Sequence, residues 1–155
     1  MSDDRVYGMR VPLDSEGFIR RECPTCEREF KWYITPNSEI NDVVIMDGGY
    51  FCTYCGIQAP VNSWLTQAQA ALARNTIQTE VVGPLLKNFG RDLNRQRSKS
   101  FSVSVQYSEP EKMSPLTELD DMRRVEFVCH PEEPIKVTED WIGANYCLIC
   151  GLERP

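Results

Sequence analysis

The 155-residue chain has 41% hydrophobic residues, seven cysteines, a single histidine, a formal charge of −6 and a pI near 4.9. Such acidity excludes a protein that coats nucleic acid without specificity, because phosphate neutralisation draws on Lys and Arg. No run of about eighteen apolar residues occurs, and Met1-Ser2-Asp3-Asp4-Arg5 lacks the basic start and apolar core of a secretory signal; a soluble, cytoplasmic protein is expected, with no membrane partner.

Residues 1–17 mix charges with Pro12 and Gly17 and show no sustained period, which predicts an extended arm or loop. Phe18–Glu22 and Glu29–Ile34 are rich in aromatic and β-branched residues and flank Cys23-Pro24-Thr25-Cys26. Thr35-Pro36-Asn37-Ser38 breaks the second strand. Asp47-Gly48-Gly49 is a hairpin signal that would turn Val43–Met46 back into Tyr50-Phe51-Cys52, just before Cys52-Thr53-Tyr54-Cys55-Gly56.

Two C-x-x-C pairs with 25 residues between them read as one four-thiolate metal site, since each pair spans one edge of a tetrahedron. Redox dithiols or two disulfides are the competing reading, and disulfides require an oxidising compartment. The residues 18–60 resemble the zinc-ribbon family, in which two knuckles at the tips of β-hairpins grip one Zn²⁺. The resemblance implies a structural zinc on Cys23, Cys26, Cys52 and Cys55, and it speaks of fold and not of activity.

Past Pro60 the composition turns helical. Asn62 or Ser63 is a candidate cap for a helix from Trp64 through Arg74 and beyond, and Gly83-Pro84 predicts a kink or a second helix starting at Pro84. Leu86, Phe89 and Leu93 form an apolar line, with Lys87, Arg91 and Arg95 read as a basic line beside it. Lys87, Arg91, Arg95, Arg97 and Lys99 against Asp92 give this segment +4, leaving −10 for the rest. The helical connector is drawn over 61–99.

From residue 100 onward, Phe101–Tyr107 alternates strictly and predicts a strand. Ser108–Asp121, with two prolines and five acidic residues, predicts a solvated loop, with room for a helical turn around 116–122. Arg124–Val128 is a strand pattern leading into Cys129-His130, and Cys147-Leu148-Ile149-Cys150-Gly151 follows after sixteen intervening residues. The order of the first ribbon repeats here: Phe30-Lys31-Trp32 is matched by Ile135-Lys136-Val137, and then comes C-x-x-C-G. An internal duplication is expected, with Cys129, His130, Cys147 and Cys150 as a second zinc site and the adjacency of Cys129 and His130 breaking the family pattern. Glu132, Glu133 or water are alternative fourth donors.

The fold class predicted is α+β: two small zinc ribbons of short antiparallel β joined by a long or kinked helical segment, with two structural Zn²⁺ per chain. No second histidine, nucleophile elbow or phosphate loop is visible, so no enzyme is expected. The function expected is a non-catalytic adaptor that docks a protein partner, or a second copy of itself, through the helical segment and ribbon surfaces. A second reading is nucleic-acid binding through Lys87, Arg91, Arg95, Arg97 and Lys99, helped by exposed Trp32 and Tyr54; a third is a regulatory piece of a longer enzyme.

Overall fold

The computed structural model describes residues 10–34, 48–96 and 106–154. In chain order these hold β1 (Phe18–Glu22), β2 (Glu29–Tyr33), β3 (Tyr50–Phe51), β4 (Gln58–Ala59), α1 (Gln67–Ile77), a π-helical turn (Gln78–Val82), α2 (Gly83–Arg95), β5 (Met122–Val125), β6 (Ile135–Thr138), β7 (Asn145–Tyr146) and β8 (Glu153–Arg154). The described residues fall into two compact units, one of 11–34, 48–68 and 116–154 and one that holds 69–96 and 106–115.

In the first unit, β1 and β2 form a hairpin around the first C-x-x-C, and β5 and β6 form a hairpin around Cys129-His130. The two hairpins join through β2 and β6 into one antiparallel sheet of order β1-β2-β6-β5, so the two cysteine-bearing halves share a sheet. Lys31 pairs with Lys136 at the junction, and these are the middle residues of the two matched triplets. The duplication read from sequence is thus an approximate two-fold axis through the β2–β6 pair.

The small hairpins obey the same axis. The Phe51 amide donates to the Leu148 carbonyl and the Tyr146 amide to the Thr53 carbonyl, each at 2.9 Å. Gly56 and Gly151 close the two C-x-x-C turns with φ of 70° and 68°, a left-handed conformation that L side chains resist. The ring of Tyr146 lies over Gly56 and the ring of Phe51 over Gly151.

Strand alternation gives the sheet two different faces. Ile19, Phe30, Trp32, Val125, Ile135 and Val137 bury into a core with Tyr54, Trp64, Phe127 and Leu148. Trp32 and Tyr54, expected as exposed aromatics, are both buried there. Tyr54 joins the halves: its hydroxyl donates to the Glu29 carbonyl at 2.8 Å and accepts the Thr138 amide at 3.1 Å. Trp64, placed by sequence pattern in a helix, is a core residue only 1% exposed; Ser63 forms a turn with the Pro60 carbonyl, and α1 starts at Gln67.

The opposite face carries Lys31 and Lys136 with side chains sealed from solvent, and two segments expected to be loose cover them. Asp14, from the expected arm, receives Lys136 at 2.7 Å and Lys31 at 3.3 Å. From the expected solvated loop, Glu118 accepts Lys31 at 2.9 Å, the Leu119 carbonyl accepts Lys31, and Glu118 and Asp121 both pair with Arg20. A buried ammonium needs such partners, which is why this acidic stretch is held as extended chain and makes no helical turn.

The second unit is helical. At Gly83-Pro84 the second of the two expected outcomes is found: a π-helical turn precedes it, with the Gly83 amide on the Gln78 carbonyl, and α2 begins there with Pro84 in its first turn. The wider turn relieves the clash between the proline ring and the carbonyl four residues earlier. Residues 106–113 run alongside without strand structure; Tyr107 donates to the Gln78 carbonyl, Lys87 pairs with Glu109 at 2.7 Å, and Asn75 holds both the Glu111 carbonyl and the Met113 amide. The predicted strands at Val43–Met46 and Phe101–Val105 lie outside the described residues.

Candidate metal centres

Cys23 and Cys26 stand on the turn between β1 and β2, Cys52 and Cys55 on the turn between β3 and β4, and the four sulfurs lie within 4.8 Å of one another. Cys23 Sγ is 3.8 Å from Cys55 Sγ and Cys26 Sγ is 3.7 Å from Cys52 Sγ. Sulfurs at about 2.3 Å from a tetrahedral Zn²⁺ stand about 3.8 Å apart, so the donor set fits that ion. All seven cysteines are free thiols.

Backbone amides point at these sulfurs as hairpin geometry requires. Thr25 and Cys26 donate to Cys23 Sγ at 3.3 and 3.4 Å, and Tyr54 donates to Cys52 Sγ at 3.3 Å. Such bonds stabilise thiolate over thiol. Burial pushes the Cys23 thiol up, yet the Cys26 and Thr25 amides outweigh it and the net shift is downward. At Cys52 burial wins, and the thiol is pushed well above its ordinary range. A cation removes that penalty by taking the place of the proton.

The second cluster joins Cys129, His130, Cys147 and Cys150, whose ligand atoms also lie within 4.8 Å of one another. His130 Nδ1 is 3.4 Å from Cys147 Sγ, and Cys129 Sγ is 3.5 Å from Cys150 Sγ. Neither Glu132 nor Glu133 belongs to the group. Two adjacent ligands reach one point because the 126–134 connection, between β5 and β6, is longer than its counterpart 23–28. The two clusters differ in cover: Cys23 and Cys52 are buried, whereas Cys129 is exposed and Cys147 alone is buried in the second. Burial pushes the Cys147 thiol up to about 12.

Of the basic stripe, Lys87 is paired to Glu109, Arg91 and Arg95 are exposed on α2, and Arg97 and Lys99 lie outside the described residues. At about 100° per residue, Phe89 and Leu93 fall on the far side of α2 from Lys87, Arg91 and Arg95, whereas Leu86 lies nearer the basic line and lines one cleft with Lys87 and Arg91. Sequence reasoning missed the Asp14–Lys31–Lys136 group; the repeated lysine at the centre of each matched triplet was its only signal.

Among the described residues, no helix is long and apolar enough to cross a membrane. Comparison with protein-family models, with curated proteins and with solved structures gave no match.

Proposed function

We propose that this chain is a non-catalytic zinc-dependent adaptor, in which two metal-pinned ribbon halves form a rigid body and the helical segment docks a protein partner. The carrying observation is an unpartnered apolar line on that segment: Leu85 is 63% and Phe89 56% exposed, with Ile77 and Val82 exposed on the same run. The five-residue π-helical turn Gln78–Val82 sets Val82 one wide turn after Ile77, which aligns the two. The strap 106–113 reaches this helix at Asn75, Gln78 and Lys87 and leaves Leu85 and Phe89 open. Both ion sites have a full set of four protein donors, which suits structural rather than catalytic zinc.

The test is proximity cross-linking and affinity capture with the zinc-loaded chain and with Phe89→Asp. A protein captured by the parent chain and lost with Phe89→Asp supports docking through this line; a set of captured proteins unchanged by Leu85→Asp plus Phe89→Asp overturns it. The nucleic-acid reading rests on Arg91 and Arg95, which lie on the other side of α2, and it predicts salt-sensitive oligonucleotide binding lost on Arg91→Glu plus Arg95→Glu. It has lost its stacking platform, because Trp32 and Tyr54 are buried.

A further inference from the structure

The two clusters carry the same chemistry under different cover, and the difference falls on one pair of sulfurs. In the first cluster each close sulfur pair, Cys23 with Cys55 at 3.8 Å and Cys26 with Cys52 at 3.7 Å, includes a fully buried cysteine. In the second, the fully buried Cys147 lies beside His130. The close sulfur pair there is Cys129 with Cys150 at 3.5 Å, the first exposed and the second partly buried. Val128, next to Cys129 on the 126–134 connection, is fully exposed as well.

Solution oxidants act on thiolates that they can reach, and a second sulfur close by turns the first oxidation product into a disulfide. Of the three close sulfur pairs, only Cys129 with Cys150 meets both conditions without a buried member. The two sulfurs also come from different turns: Cys129 stands between β5 and β6, and Cys150 between β7 and β8. A bond between them takes over the cross-link that a shared ion makes, so the turns stay together and the donor set can re-form on reduction. A Cys147–Cys150 bond would close one turn on itself and leave the two turns unlinked.

We infer that Cys129 and Cys150 are a reversible oxidation site for peroxides, through which the second cluster gives up its zinc while the first keeps its own. This rests on the reading of both clusters as zinc sites and adds a redox difference between them. The Cys129 thiolate, the form that bound zinc maintains, attacks one oxygen of hydrogen peroxide; an S–O bond forms, the O–O bond breaks and hydroxide leaves. The Cys150 thiolate then attacks the Cys129 sulfur; the S–S bond forms, the S–O bond breaks and a second hydroxide leaves. Two protons from solvent turn both hydroxides into water, and the two electrons lost by the sulfurs reduce the peroxide. His130 and Cys147 remain as donors, short of the four that a structural site uses. A dithiol reductant reverses the bond by exchange.

The test exposes the full zinc-loaded chain to hydrogen peroxide, follows metal release with a chromogenic chelator and maps cysteine pairs by mass spectrometry without prior reduction. One of the two zinc equivalents is expected in a phase at least about tenfold faster than the other, with Cys129 linked to Cys150 and with Cys23, Cys26, Cys52 and Cys55 recovered as thiols. Dithiothreitol and added zinc should then restore the original metal content. Cys129→Ser, which keeps only the first zinc, should lack the fast phase. Release of both ions at one rate, a first disulfide within the first cluster, a Cys147–Cys150 bond as the first product, or Cys129 left as a thiol or driven to sulfinic acid each overturns the proposal. A chain that purifies without a second zinc overturns the zinc reading of that cluster, and the first disulfide formed in it still decides between Cys129–Cys150 and the other pairs.

Discussion

Lys31 and Lys136 pair directly across the central strands with both ammonium groups buried, and Asp14 Oδ2 stands between them at 3.3 and 2.7 Å. Like charges opposite each other on a sheet repel. The duplication places the two lysines together, and the sheet tolerates them because Asp14, Glu118 and Asp121 arrive from segments outside both hairpins. These contacts tie the ends of the ribbon unit to its middle.

Asp14→Asn should therefore cost about 3–5 kcal/mol at neutral pH, because it leaves two buried ammonium groups short of a counter-charge. Burial raises the Asp14 carboxyl, but Lys136, the Phe18 and Glu16 amides and Lys31 outweigh it and hold it at about 2, below its usual 3.8. A carboxyl depressed on folding contributes its stability above the unfolded value and loses it as pH falls through the folded one. The gap between wild type and Asp14→Asn, read by urea denaturation, should be constant from pH 7 to about 5 and narrow by about 2.5 kcal/mol between about 4 and 2. A gap that does not narrow there would show that Asp14 acts through packing alone.

Metal content should be two zinc per chain, and removing ligands should separate the clusters. Cys129→Ser, at an exposed ligand, is expected to drop the stoichiometry to one with the sheet retained. Cys52→Ser, in the buried cluster, should unfold the first half as well, because without metal its small hairpin is held only by two two-residue strands and two backbone hydrogen bonds to the Cys147 hairpin among the bonds described. Both Cys52 and Cys147 hold protons tightly when metal-free, so loading releases protons and apparent affinity should rise with pH, by up to tenfold per unit for each proton displaced. A competition titration with a chromogenic chelator at pH 6, 7 and 8 reads this slope, and a flat profile would contradict it.

Gly56 and Gly151 test the two-fold axis. A Cβ on Gly56 would meet the Tyr146 ring at 3.2 Å, while one on Gly151 would meet the Phe51 ring at 2.7 Å. Both alanines share the cost of a left-handed backbone, about 1–2 kcal/mol, and Gly151→Ala adds a clash that must be relieved by moving a ring. Thermal melts should therefore rank wild type above Gly56→Ala above Gly151→Ala, with Phe51→Leu partly rescuing Gly151→Ala.

Much of the metal chemistry was legible because cysteine spacing is a local signal. Cys23, Cys26, Cys52 and Cys55, and then Cys129, His130, Cys147 and Cys150, come together as the sequence suggests, and the repeated triplet around Lys31 and Lys136 announced the duplication. What the pattern hid is non-local. Asp14 and Glu118 lie in stretches whose composition reads as solvated, and only the distant lysines on the sheet explain their burial. Trp64 was absorbed into a helix pattern because Leu65, Leu72 and Thr76 continue a helical period beyond it, whereas a single indole seated against Phe30 and Trp32 leaves no periodic trace. Of the apolar line, Leu86 lies near the basic residues of α2, while Phe89 and Leu93 lie opposite them, because steps of three and seven residues drift around a 3.6-residue helix.

Trp64 is also the residue on which the order of the first cluster should depend. Its side chain fills the core between Phe30 and Trp32, and its carbonyl anchors the Glu22 amide, one residue before Cys23. Truncation to alanine removes the indole from a fully enclosed site, which costs about 3–5 kcal/mol. The loss should be felt unequally, because the rings that Trp64 packs against, Phe30 and Trp32, and the Glu22 amide that its carbonyl accepts all belong to the first half: chelator extraction of zinc from Trp64→Ala should show one phase accelerated and one close to the wild-type rate. Trp64→Phe keeps the backbone anchor and most of the ring, and should restore the slow phase while recovering part of the stability. Equal acceleration of both phases would mean that the shared β2–β6 pair couples the clusters more tightly than Trp64 couples to its own.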